Sequence, residues 1–180
     1  VPAATEAAIA FGLIGEMTPE DAIRKLINLQ QQTNFVFKNT TKSVYQQISA
    51  QERAEVVTRE MANTLNLLNS IEDNSAATMN NIIAVMNEFA SQAHLTGESM
   101  EYMAAMSATL IEAGEQQGKG GRALRMIYAR LGSNINGAAD ALHELGVETV
   151  NSDGSLRTFS DTMNELIPLY QRMNSAQKQQ

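Results

Sequence analysis

Apolar residues recur at three- and four-residue spacing through most of this chain, and that period restricts it to helices that each bury one stripe. The clearest stretch is Met79, Ile82, Ile83, Met86, Phe89, Ala90 and Ala93. Similar stripes run through Ala22, Ile23, Leu26, Ile27 and Leu29, and through Val56, Val57, Met61, Leu65 and Leu68. Further stripes are Met100, Met103, Ala104, Met106, Leu110 and Ile111, then Ala123, Leu124, Ile127, Tyr128 and Leu131, and finally Met163, Leu166, Ile167, Leu169 and Tyr170.

Start and stop signals divide the stripes into separate helices. Thr18 precedes Pro19, Glu20 and Asp21, so an N-cap, a first-turn proline and first-turn acids coincide and predict a helix to about Gln32. Ser49-Ala50-Gln51-Glu52 matches a capping box that opens a helix to about Asn69. The periodic stretch from Met79 is expected to end near His94, and Thr96-Gly97-Glu98-Ser99 then offers another cap, with Thr96 favoured and Glu98 near the positive helix end. Gly114, Gly132 and Gly146 have the placement of helix stops. Between them one helix is predicted from about Gly120 and a short one over Ala138 to Leu145. Ser160 is the expected cap of a last helix, where Pro168 predicts a kink or an early end.

Two segments depart from the helical period. Thr33 to Ile48 reads as a loop with an apolar plug at Phe35-Val36-Phe37. After Gly146, Val147 and Val150 precede Asp153-Gly154, with Leu156 following, and Asp-Gly is turn chemistry suited to a tight hairpin. The fold class expected is therefore all-α, a multi-helical module with one small β-hairpin near residues 147–158. Residues 1–74 read as an N-terminal helical segment, 75–174 as a helical core carrying the hairpin, and 175–180 as a polar tail expected to continue into a longer protein. The opening Val1, without a basic leader, also reads as part of a longer chain.

Composition excludes several classes of function. The 180 residues include no Trp and are 5% aromatic, so Ala, Leu, Ile and ten Met must fill the interior. The net charge of -7 and scattered Lys and Arg do not suit phosphate-backbone binding. The absence of Cys removes disulfides and thiolate chemistry. The most apolar opening run, Ala7 to Ile14, is far short of the roughly 20 residues a membrane-spanning helix needs.

No residue constellation suits covalent chemistry. Gly118-Lys119-Gly120-Gly121-Arg122 is Gly-rich and basic, but no strand is predicted before it and it lacks P-loop spacing; it reads as a flexible connection with close backbone packing. His94 and His143 are the only histidines, fall in different predicted helices and have no second ligand at zinc spacing. Asp and Glu lie at helix starts and on polar faces, and Ser107, Ser133 and Ser152 have no nucleophile-elbow surroundings. No catalytic, cofactor-binding or metal-binding residue is expected, and no cofactor.

The second half carries a resemblance. Ala113-Gly114, the spacer to Gly118 and Gly121, then Arg122-Ala123-Leu124-Arg125 and Arg130-Leu131 resemble the core of the phage tail tape-measure family. Ala138-Ala139-Asp140-Ala141-Leu142-His143-Glu144-Leu145-Gly146-Val147 resembles its next step, Asp153-Gly154-Ser155-Leu156-Arg157 its hairpin, and Phe159-Ser160-Asp161 with Leu166 the helix after it. The match covers roughly Asn80 to Arg172 and reaches back weakly to Thr18. It departs from the family at Lys119-Gly120-Gly121, which loosens the connector, and in lacking a Pro after Arg157.

The resemblance implies a minor tail or tape-measure protein inside the tail tube, which sets tail length during assembly and leaves ahead of the DNA during ejection. Gly114, Gly118, Gly121, Leu124, Arg125, Leu131, Leu145, Gly146, Asp153, Gly154 and Leu156 are the motif residues it assigns, all structural. The partners implied are tail tube proteins, tail assembly chaperones and tail-tip or baseplate proteins. A homo-oligomer, trimer or hexamer, is also implied. DNA would be only a channel neighbour, and any membrane contact during ejection would not use this segment. The location implied is the virion tail tube, and the host cytoplasm during assembly. The alternative is a helical secretion or signalling adaptor that binds partner helices; an enzyme ranks below both.

Overall fold

A computed structural model describes Ile9 and residues 18–114, 116–133, 137–176 and 178. Among these the chain is built of helices: α1 (Pro19–Thr33), a 3-10 turn (Phe35–Phe37), α2 (Lys42–Gln47), α3 (Ala50–Asp73), α4 (Met79–Leu95), α5 (Met100–Glu112), α6 (Gln117–Ser133), α7 (Ala138–Glu144) and α8 (Phe159–Arg172). Apart from Ile9, the opening run from Ala7 to Ile14 lies outside the described residues, as do residues 177, 179 and 180 of the polar tail.

The caps at Thr18 and Ser49 form as their chemistry dictates. The Thr18 hydroxyl accepts from the Asp21 N–H at 3.2 Å. At the start of α3, Ser49 Oγ accepts from the Glu52 N–H at 3.3 Å while the Glu52 carboxylate accepts from the Ser49 N–H at 2.8 Å, closing both halves of the capping box. Hydrogen bonds from the Ser49 hydroxyl and backbone hold the Glu52 carboxyl below its usual range.

α4 is the central element. Its stripe of Met79, Ile82, Ile83, Met86, Phe89, Ala90 and Ala93 is buried, and Val85 is buried beside it. It packs against α1, α5 and α6, and α3 lies against α4, α5 and the 3-10 turn. Met79, Met86, Met100 and Met103 lie in this core, where their unbranched side chains fill gaps that a chain without Trp leaves. On α1, Leu26 and Leu29 are buried, while Ile27 is exposed.

The expected β-hairpin near residues 147–158 is not present. No strand occurs among the described residues, and the segment is a loop whose two arms meet in one isolated antiparallel bridge, Val150 with Leu156. The turn chemistry is real: Gly154 has φ +85°, its N–H bonds to Asn151 O at 3.0 Å, and Asp153 Oδ1 accepts from the Ser155 N–H and hydroxyl. What fails is the ladder. Two backbone hydrogen bonds join the arms on either side of the bridge, Asn151 N–H to Ser155 O at 2.8 Å and Arg157 N–H to Thr149 O at 2.9 Å, and α8 begins at Phe159, too soon for a second strand to extend.

Other boundaries move for identifiable reasons. The expected loop at 33–48 contains the 3-10 turn and α2, with Phe35 and Val36 buried as the plug. Asn34 enters that turn with φ +50°, a left-handed conformation Asn tolerates better than most residues. α3 extends past Asn69 to Asp73. α6 starts at Gln117, so Gly118 to Gly121 are helical rather than a loose connector, and the helix passes Gly132 to end at Ser133. α8 continues through Pro168 to Arg172.

Candidate functional site

The described residues hold no group of three or more His, Asp or Glu able to bind a metal ion. His94 Nε2 lies 3.5 Å from the Asn34 amide, and His143 Nδ1 lies 2.7 Å from Glu148 Oε1, so each histidine has its own local partner. A cleft of about 380 Å³ opens between the end of α1, the 3-10 turn and the start of α5, with Phe35, Phe37, Met100 and Met103 in its wall. Its rim carboxylate Glu101 is paired with Lys38. His94 and Ser99 also line it, but each has another partner, His94 the Asn34 amide and Ser99 Oγ the Tyr102 N–H, and no described helix is long and apolar enough to cross a membrane.

What stands out instead is the contact of α6 with α4 and the start of α8. On α6, Gly121, Leu124 and Tyr128 share one buried face at helical spacing. A Cβ on Gly121 would lie 2.6 Å from Glu88 Cβ and 2.8 Å from Val85 O, so only glycine allows the two helices this approach. Above it the Tyr128 ring stacks on Phe89 at 5.9 Å and meets Phe159 of α8 at 5.3 Å.

Glu98 closes this arrangement. It is 5% exposed, yet among the described residues no basic side chain bonds to it. Its Oε2 accepts from the Tyr128 hydroxyl at 3.2 Å and the Ser160 N–H at 3.1 Å, and its Oε1 accepts from the Ser160 hydroxyl at 2.8 Å. Burial, with the Glu98 charge second, pushes the Tyr128 phenol far above its ordinary value, so it stays protonated and remains a donor.

The caps around this node differ from the sequence expectation. Thr96 is the C-cap of α4, and its hydroxyl bonds back to Ala93 O at 2.8 Å. Ser99 caps α5 by accepting from the Tyr102 N–H at 3.1 Å. Thr158 caps α8 by accepting from the Asp161 N–H at 3.0 Å, which leaves Ser160 for Glu98. The contact between Glu98 and Ser160 spans 62 positions in the chain, and no local signal in the sequence could have revealed it.

The motif residues are not gathered into one site. Gly114 and Gly146 are left-handed helix ends at φ +79° and +81°, Gly118 lies in the first turn of α6, and Gly121 and Leu124 face the core. Arg125 is exposed, Leu131 half-buried and Leu145 43% exposed, while Asp153, Gly154 and Leu156 shape the loop before α8. Their arrangement is one of stops, a close helix crossing and a turn.

Such a build defines a helical structural module. The chain belongs to the family of phage-related minor tail proteins, whose model matches residues 1–180, and it is a structural tail protein. It is thereby associated with the phage tail. No solved structure matches it significantly.

Proposed function

We propose that this chain is a folded module of a tail tape-measure protein, which lies inside the tail tube, sets tail length during assembly and is released during genome ejection. The observation that carries the reading is a family match over the whole chain to a protein built of helix after helix. A helix converts residue number into distance at about 1.5 Å per residue, the physical basis for a ruler. As one straight helix this chain would reach about 270 Å. Left-handed glycines at positions 97, 114 and 146 turn it back on itself, so the module sits beside or within the ruler and the extended length lies elsewhere in the protein.

Its partners in this reading are tail tube proteins, tail assembly chaperones and tail-tip or baseplate proteins, and copies of the chain associate as a trimer or hexamer. Apolar side chains left in solvent support such contacts: Met126 is 51% exposed, Ile167 49% and Tyr170 50%. DNA is only a neighbour in the channel, which the net charge of -7 suits.

Location and release are tested on purified particles with an antibody to the module. In intact tails the chain is expected to resist added protease, and after receptor-triggered ejection it is expected to leave the particle. Rapid digestion in intact tails, or full retention in emptied ones, contradicts the reading.

A further inference from the structure

We propose that α8 is a releasable arm, held to the body of the module by the Glu98 carboxylate acting as a latch on its first turn. Three observations carry this. First, the docking of α8 is concentrated at its beginning: Phe159 packs against the core and on Tyr128, Ser160 bonds to Glu98, and Thr162 is the one buried residue of the helix. Beyond that turn the apolar side chains are poorly covered, with Ile167 49% and Tyr170 50% exposed and Met163, Leu166 and Leu169 half-buried. Most of α8 therefore contributes little to its own attachment.

Second, Arg157 at the end of the loop before α8 is tied to the helix. It donates to Glu165 Oε1 of α8 at 2.7 Å and to Glu148 O at 3.2 Å, while the start of the loop, with Val147 fully buried and Glu148 paired to His143 of α7, stays with the body. Third, among the described residues the first turn of α8 is bonded to the body through one buried carboxylate, that of Glu98. Among the described residues the donors to Glu98 are neutral, and two of the three are the N–H and hydroxyl of Ser160. The carboxylate faces the N-terminal end of α8, where free N–H groups and the helix dipole favour negative charge. In the docked state Glu98 caps α8 from another part of the chain; undocking exposes Glu98 to water and frees Ser160 and Tyr128 together. α8 thus opens as a unit while α4 and its neighbours remain folded.

Amide hydrogen exchange on the whole 180-residue chain tests this. Glu98→Ala is expected to speed exchange of the α8 amides by about tenfold or more while the buried amides of α4 keep their rates, the signature of a locally opening unit. Glu98→Gln, which keeps one acceptor for the Ser160 N–H, is expected to give a smaller rise in the same place. Should Glu98→Ala not fold, Tyr128→Phe and Ser160→Ala each delete one hydroxyl donor with little change of shape, and their rise is likewise expected to be confined to α8. Unchanged α8 rates in the variants that fold, or α4 and α8 accelerating together, would overturn the latch.

Discussion

Phe89→Ala is expected to be among the most damaging single changes to the module, lowering its stability by about 3–5 kcal/mol. Phe89 is 1% exposed at the middle of α4, and its ring lies nearly parallel to that of Tyr128, with an interplanar angle of 11°. Truncation removes the burial of a large side chain and leaves a cavity that its neighbours can fill only by moving. They have little freedom to do so: α4 is held on separate sides by α1, α5 and α6, and Tyr128 is held by its bond to Glu98. The loss also reaches α8, because Phe159 packs on the other side of Tyr128. Thermal unfolding followed by far-UV circular dichroism should show the midpoint falling by roughly 10 °C for a chain of this size. A drop of only a degree or two would mean that α4 is not the centre of the core.

Gly121→Ala is the second large effect, and its sign runs against helix propensity. In an unobstructed helix interior, replacing Gly by Ala stabilises by about 0.5–1 kcal/mol. At Gly121 the new methyl would stand 2.6 Å from Glu88 Cβ and 2.8 Å from Val85 O. One obstacle is the root of a side chain and the other is backbone, so neither gives way by a rotamer change. α6 must move off α4, loosening the contacts of Leu124 and Tyr128, and overpacking of this kind costs about 1–3 kcal/mol. Gly118 provides the internal comparison. A Cβ there meets only the end of the Arg122 side chain, at 2.9 Å, which can swing away. Gly118→Ala is thus expected to be neutral or slightly stabilising, while Gly121→Ala lowers the urea midpoint clearly. Equal midpoints for the two variants would show that α6 does not approach α4 this closely.

These contrasts indicate which features were legible in the sequence. Where structure follows from a residue and its neighbours within one turn, the reading succeeds: Thr18 and Ser49 cap their helices, Gly114 and Gly146 close theirs, and the stripe from Met79 to Ala93 is the buried face of α4. Thr96 and Ser99 are equally able N-caps by composition, and so are Thr158 and Ser160. The choice between members of each pair is made by how far α4 runs and by what Glu98 takes, both tertiary matters. The run from Gly118 to Gly121 looked like a loose connector because glycine weakens helices; packing against α4 supplies the reason for glycine inside one. The β-hairpin was inferred from a correct turn, but a turn fixes only its own few residues, and the arms had too little length to build a ladder. Glu98 looked like a first-turn acid of α5 and instead serves α8. The resemblance to the family rests on Gly114, the run from Arg122 to Arg125, the step that ends at Gly146 and the Asp153-Gly154 turn following one another along the chain, a pattern that survives when single boundaries shift.

In the proposed function this module belongs to a protein whose helical length sets the length of the tail. Electron microscopy of particles carrying in-frame deletions of graded size, placed in the extended helical region of the full-length gene, measures it most directly. Tails are expected to shorten in proportion to the residues removed, by about 1.5 Å for each. Tails of unchanged length across the deletion series would show that this protein does not set tail length.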